Sequence, residues 1–313
     1  MKELKHLIYF ENLLEDANNE LVRKAEAEGD LAIGYTCFHA PEVLLNLGNC
    51  FSVRLRAPHT NSMELATYYM ANNSCEFSRA LLERALEGNY GFLHAMAGVD
   101  VCEANNRAIE NMEIMHMQGE DKEKFFYCNL DIPYSDDEDC VEHICEQVSR
   151  KILKPLRENY GVDTSDAAIR AAVREHNEVC RMLSYLPITI GDKEQALADL
   201  VRCYEKMMMR SHTNGGYVNL LDECWKMCEK FNVNIVIMYD HVSCKNVGGL
   251  HGLFEDQARE RGIHLIWVPH DVMDPRTVSR REMREAFNQY MITVLREEPL
   301  DPTLLDYEDA LSW

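Results

Sequence analysis

Along this chain, short apolar runs that end abruptly at loops alternate with stretches in which apolar residues return every three or four positions. The first rhythm marks buried strands and the second marks helices with one packed face. Leu4, Leu7, Ile8, Leu13, Leu14 and Leu21 have helical spacing among charges, which predicts a helix over residues 1–29 that stops at Glu28-Gly-Asp30. Leu31 to Thr36 reads as a strand feeding Cys37-Phe-His-Ala-Pro-Glu42, with Pro41 in the first turn of a helix from Glu42 to Leu47. Phe51 to Leu55 is the next strand. A helix begins near Cys75 with Leu81, Leu82, Ala85 and Leu86 on its apolar side, and a strand from Phe92 to Val101 runs into Cys102 and a further helix. Phe125 to Ile132 is a strand ended by Pro133. The periodicity is helical from about Cys140 to Tyr185 and again from Asp192 to Met209, where Met207-Met-Met-Arg210 reads as helix packing.

After Thr213-Asn-Gly-Gly216, a helix with Leu220, Leu221, Cys224 and Cys228 leads to the β-branched run that starts at Asn234, ends near Asp240 and delivers Cys244 into a loop. A helix from Leu250 to Arg261 and a strand from Ile263 to Val268 follow. Strand, loop, helix, strand is half of a doubly wound unit, in which ligands sit beyond the carboxyl ends of the strands. The expectation is α/β, with two flavodoxin-like parallel-sheet domains and added helices. Its parts are an N-terminal helical segment (1–30), a first domain (31–160) carrying Cys37, Cys75 and Cys102, a helical connection (161–215), and a second domain (216–313) carrying Cys244.

Composition narrows the function. The chain has 313 residues, enough for two cores, and its apolar fraction of 46% is ordinary for a globular protein. No apolar run reaches membrane-spanning length, and Met1-Lys-Glu-Leu-Lys-His lacks the apolar core of a signal peptide, so a cytoplasmic protein is expected. A formal net charge of −21 argues against nucleic acid. The acidic run Asp136-Asp-Glu-Asp139 reads as a solvated helix start. No glycine-rich phosphate loop is present, since Gly248-Gly249 is too short for one, so the chain is not expected to hydrolyse ATP by itself.

Cysteine changes the picture most. There are 12, and without a secretory signal they are expected to be reduced thiols. Cys37, Cys75, Cys102 and Cys244 share one local setting, at a junction between a strand or loop and a helix start, where the helix dipole favours a thiolate. Cys224 and Cys228, four apart on one face, are read with Cys50, Cys128, Cys140, Cys145, Cys180 and Cys203 as packing. Zinc sites draw on close cysteine pairs, whereas Cys75 and Cys102 have 26 residues between them (102 − 75 − 1). Distant thiols from separate loops suit a larger guest, such as an iron-sulfur cube.

The residues from Ala32-Ile-Gly-Tyr-Thr-Cys37 to Gly48, Cys75-Glu-Phe-Ser-Arg79, Val101-Cys-Glu103, Ala168 to Asn177, Ser243-Cys-Lys245 and Gly262 to Asp271 resemble the 2-hydroxyacyl-CoA dehydratase and benzoyl-CoA reductase family over nearly the whole chain. The resemblance implies an oxygen-sensitive [4Fe-4S] subunit of a heterodimer with a related, larger subunit. Its cluster ligands match Cys75, Cys102 and Cys244, and Cys37 matches a position where some members carry a fourth. It implies a separate ATP-hydrolysing activator that injects one electron, an acyl-CoA substrate, a ketyl radical, and loss of water to an enoyl-CoA, a lyase reaction. Related readings are a benzoyl-CoA reductase or double-cubane-type reductase subunit, or a non-catalytic cluster-bearing scaffold. The interval from Cys102 to Cys244 is shorter than in the family, so the second domain is expected to be shortened and the chain to suit electron relay to its partner.

Glu42 and His39, beside Cys37, are candidates to face cluster or substrate, with Glu42 as a simple helix-start residue the alternative. His241 and Lys245 flank Cys244 and either donate to a sulfur or anion or face solvent. Asp271 and Arg276 are read as an ion pair fixing a loop.

Overall fold

The computed structural model of the chain describes residues 2–298 apart from 38–39, 59, 61, 101, 116–122, 134–136, 183–196, 199–215, 243 and 272–276. Two helices open it, α1 (Lys2–Leu14) and α2 (Glu20–Glu28), where the apolar spacing predicts one. Asn19 is the reason: its side-chain oxygen accepts from the backbone N–H of Leu21 and Val22 and starts a new helix. Gly29, at φ 90°, ends it in the left-handed conformation that glycine adopts without a Cβ clash.

Strands β1 (Leu31–Tyr35), β2 (Cys50–Arg54), β3 (Ala95–Asp100) and β4 (Phe126–Asp131) form one parallel sheet in the order β2-β1-β3-β4. Side chains alternate between its faces, as a period of two requires. Ile33, Tyr35, Ala95, Ala97 and Val99 point into one core, with Leu44, Ile144, Leu156 and Val173. Ala32, Val53 and Met96 point into the other, with Leu81, Leu82, Ile109 and Met112. Helices α3 (Glu76–Leu86) and α4 (Glu103–Ile114) cover the second face; α5 (Glu138–Val148), α6 (Lys154–Tyr160) and α7 (Asp166–Met182) cover the first. The sheet is thus buried on both sides, which is why its strands read as nearly continuous apolar runs. Asp137 caps α5 by accepting from the Cys140 N–H, consistent with a solvated acidic helix start.

Two elements differ from expectation. Glu42–Asn46 is a short 3₁₀ segment, closed by Asn46 bonding back to the Glu42 carbonyl, where a helix to Leu47 was predicted. Phe92 and Leu93 pack outside the ladder, and the strand starts at Ala95.

The C-terminal part contains α8 (Tyr217–Phe231), β5 (Ile235–His241), a single helical turn (Lys245–Gly248), α9 (His251–Arg261), β6 (His264–His270) and α10 (Arg280–Tyr290). β5 and β6 pair in parallel in register from Ile235–His264 to His241–His270. Its core gathers Leu221, Trp225, Cys228, Phe254, Ala258 and Leu265. The four-stranded sheet has the order that a flavodoxin-like domain begins with. The second sheet has two strands among the described residues, so a pair of flavodoxin-like domains is not confirmed. The helical stretch expected from Asp192 to Met209 lies almost wholly outside the described residues. No helix among those described is long and apolar enough to cross a membrane.

Candidate thiol site at the carboxyl ends of two sheets

In the four-stranded sheet the chain leaves β1 for β2 on one side and returns to β3 on the other, so the crevice beyond the ends of β1 and β3 is a topological switch point. β1 ends in Tyr35-Thr-Cys37 and β3 ends just before Cys102. The Asn105 side chain donates to the Thr36 hydroxyl at 3.0 Å and ties the two strand ends together, and Asn106 hydrogen-bonds Asp100 beneath them.

Cys75, Cys102 and Cys244 each occupy the position that opens a helix or helical turn: α3, α4 and Lys245–Gly248. Their carbonyls accept the first helical bonds, from Arg79, Asn106 and Gly248. All three are half-buried. Burial pushes the Cys102 thiol pKa up, the negative charges of Cys75 and Cys244 add to this, and the Asn105 and Ala104 N–H groups partly oppose it. The Cys75 and Cys244 sulfurs therefore both lie within electrostatic reach of Cys102. Among the described residues no group of three or more His, Cys, Asp or Glu side chains is arranged to hold a metal ion. The set is thus not a ready-made zinc site, but three thiols from three loops have the donor chemistry of an iron-sulfur cluster.

His241, the last residue of β5, hydrogen-bonds Cys75 across the two sheets. Burial opposes ionisation of Cys75, yet the bond with His241 and those from Ser78 outweigh it and hold the thiol below its ordinary pKa. His241 is raised in turn, chiefly by the same bond, against its own burial. The bond thus favours the ionised form of each group, a thiolate facing an imidazolium. At the end of β6, Asp271 hydrogen-bonds Glu76; that bond, burial and the charge of Asp271 push the Glu76 carboxyl up to about 7. The Glu76 carboxyl, beside Cys75, therefore holds its proton to a higher pH than an ordinary carboxyl. Asp271 thus pairs with Glu76, and its predicted partner Arg276 lies outside the described residues.

Cys37 is half-buried and packs against the first core. Glu42 is more than a helix-start residue. Its carboxylate accepts from Ser52 Oγ at 3.1 Å and from Tyr35, and it is felt by His176 on α7. His39 lies outside the described residues, and Lys245 is exposed. That His241 bonds a sulfur was one of the two readings the sequence offered, but that the sulfur belongs to Cys75, and that Glu76 meets Asp271, was not legible, because both contacts join residues more than a hundred positions apart.

The pairing of Cys75 with His241 sets a pH dependence. In metal-free protein Cys75 stays ionised, and so reacts with iodoacetamide, to lower pH than an ordinary thiol. His241→Gln is expected to return its pKa upward and slow its alkylation at neutral pH, by about tenfold for each unit of rise. Mass spectrometry of Cys75 modification against pH measures this; an unchanged profile sinks the pairing.

Fold and site together define an α/β protein whose thiols and protonatable side chains meet at the carboxyl ends of two parallel sheets. Residues 37–187 match the family model described as 2-hydroxyglutaryl-CoA dehydratase, D-component, which supports the 2-hydroxyacyl-CoA dehydratase family read from the cysteine contexts. The match takes in Cys37, Cys75 and Cys102 and ends before Cys244. No curated protein matches the chain.

Proposed function

We propose that this chain is the [4Fe-4S]-holding subunit of a 2-hydroxyacyl-CoA dehydratase, working with a related larger subunit and a separate ATP-hydrolysing activator. The observation that carries the reading is the gathering of Cys75, Cys102 and Cys244, from loops far apart in sequence, at the carboxyl ends of both sheets. These three would hold the cluster, with Cys37 as the candidate fourth ligand. When bound, the group would supply a low-potential electron and, where one iron is left open, a Lewis acid toward the thioester.

The chain's own residues do the rest. His241 balances the charge of the Cys75 sulfur and fixes its direction. Asn105 and Thr36 lock the crevice between β1 and β3. The Glu76 carboxyl, hydrogen-bonded to Asp271, keeps a proton near neutrality and would serve as a general acid if a leaving group came within its reach. A second reading is a cluster-bearing scaffold or relay subunit without turnover, in keeping with the short interval from Cys102 to Cys244.

Anaerobic reconstitution followed by iron and sulfide analysis, then addition of the partner, activator, ATP and a 2-hydroxyacyl-CoA, tests both. Enoyl-CoA formation is the expected result. Bound iron without turnover selects the scaffold, and no bound iron overturns the proposal.

A further inference from the structure

His241 stands between two of the cysteines. Its carbonyl accepts the Cys244 N–H at 2.7 Å, and its side chain reaches across to Cys75 at the start of α3. The neighbouring strand orients the ring: Nδ1 lies 3.4 Å from the His270 carbonyl oxygen, which also accepts the Val242 N–H at 3.1 Å. β5 and β6 stay in register as far as His241 and His270, so the ladder itself builds this anchor. A carbonyl can only accept, so Nδ1 is the donor there and Nε2 is the nitrogen left for Cys75. The Cys75 sulfur also takes the N–H and the hydroxyl of Ser78, a buried residue in the first turn of α3. The Cys102 sulfur, by contrast, takes backbone N–H groups from Ala104 and Asn105. Cys75 is thus the thiol that a side chain from the second sheet meets.

A free thiol can give or take a hydrogen at this contact. A sulfur bound to iron carries no proton and can only accept, so with a cluster in place Nε2–H donates to it. Hydrogen bonds to the sulfurs are one of the means by which a protein sets a cluster's potential. An added electron places part of its charge on the ligand sulfurs, and a hydrogen bond strengthens with the charge of its acceptor. We infer that His241 is a positioning residue that raises the reduction potential of the cluster through the Cys75 sulfur, making the ease of electron uptake depend on the contact between the two sheets. This inference rests on the cluster reading above. One electron passes from an external reductant to the oxidised cluster, and the hydrogen stays on Nε2 with no bond made or broken at His241.

Anaerobic redox titration of the reconstituted full chain tests this, with titanium(III) citrate as the one-electron reductant and the paramagnetic resonance of the reduced cluster as the readout. H241N keeps an N–H near the His270 carbonyl but is too short for Cys75, whereas H241Q places a neutral N–H where Nε2 stood. At the potential that half-reduces the native cluster, H241N is expected to show a ratio of reduced to oxidised cluster lower by about tenfold or more, equivalent to about 59 mV for one electron. H241Q is expected to fall between the two. Iron and sulfide contents, measured on each variant, separate this effect from a merely structural one. Full iron with H241N at the native potential, or H241Q no higher than H241N, overturns the inference and leaves the cluster reading standing. A native chain that holds no cluster fells that reading and the inference with it. If H241N loses its iron, H241L must show the same fall in the ratio; loss of iron from both makes His241 a structural support and overturns the inference.

Discussion

Cys102→Ser in anaerobically reconstituted protein is expected to lose most of its bound iron and sulfide, with affinity reduced by roughly 100-fold or more, since even second-shell partners of a metal site cost 10–100-fold. Cys102 ends the crevice beyond β3 and feels the charge of both Cys75 and Cys244, so its sulfur is the common neighbour of the set. A serine oxygen keeps the helix start but is a poor ligand for iron that sulfur would hold. Cys75→Ser and Cys244→Ser are expected to behave alike. Cys140→Ala, in the first turn of α5 on the other face of the first sheet, is the control that keeps its iron. Iron and acid-labile sulfide assays with the visible absorption of the protein read the result. Retention of iron by all three serine variants would remove the cluster from this site. Cys37→Ser sorts the remaining question: loss of iron makes it a fourth ligand, and retention leaves one iron open to substrate.

The second large effect is on stability. Phe254→Ala should destabilise the C-terminal part by about 3–5 kcal/mol, the range for removing a buried aromatic side chain and leaving a cavity. Phe254 is fully buried and packs edge-on against Trp225, at 5.8 Å between ring centres, and Trp267, at 6.1 Å. Among the described residues its core is a small cluster around two strands, with Phe254 at its centre. Such a change is a large fraction of the roughly 5–15 kcal/mol by which domains are stable. Because β5 delivers both His241 and Cys244, the variant should also lose the depressed pKa of Cys75 while the four-stranded sheet remains folded. Hydrogen exchange resolved by segment, together with Cys75 alkylation, checks both halves. A shift below about 1 kcal/mol, the scale of a single methylene, would mean that the C-terminal core does not depend on this ring.

Much of the first sheet could be read from residue order, because strands buried on both faces are plain apolar runs and their ends are marked by Pro, Gly or Cys. β1, β2 and β4 fall within a residue or so of expectation. The errors have local causes. Asn19 is a helix-capping residue inside an otherwise continuous helical spacing, and Phe92 and Leu93 are apolar for packing, not for pairing. Glu42 illustrates the limit at the site: a helix-start acid was the natural reading, and Ser52 and Tyr35 become its partners only once β1 and β2 lie side by side.

Local order along the chain was enough to settle the class of fold, the helix-start setting of each singled-out cysteine and the excess of acid, since each depends on residues a few positions apart. The pairing of Cys75 with His241 and the contact of Glu76 with Asp271 were decided by tertiary structure alone. Those contacts depend on which strand ends pack together, and a sheet that reorders its strands as β2-β1-β3-β4 brings together groups whose separation in sequence carries no trace of it.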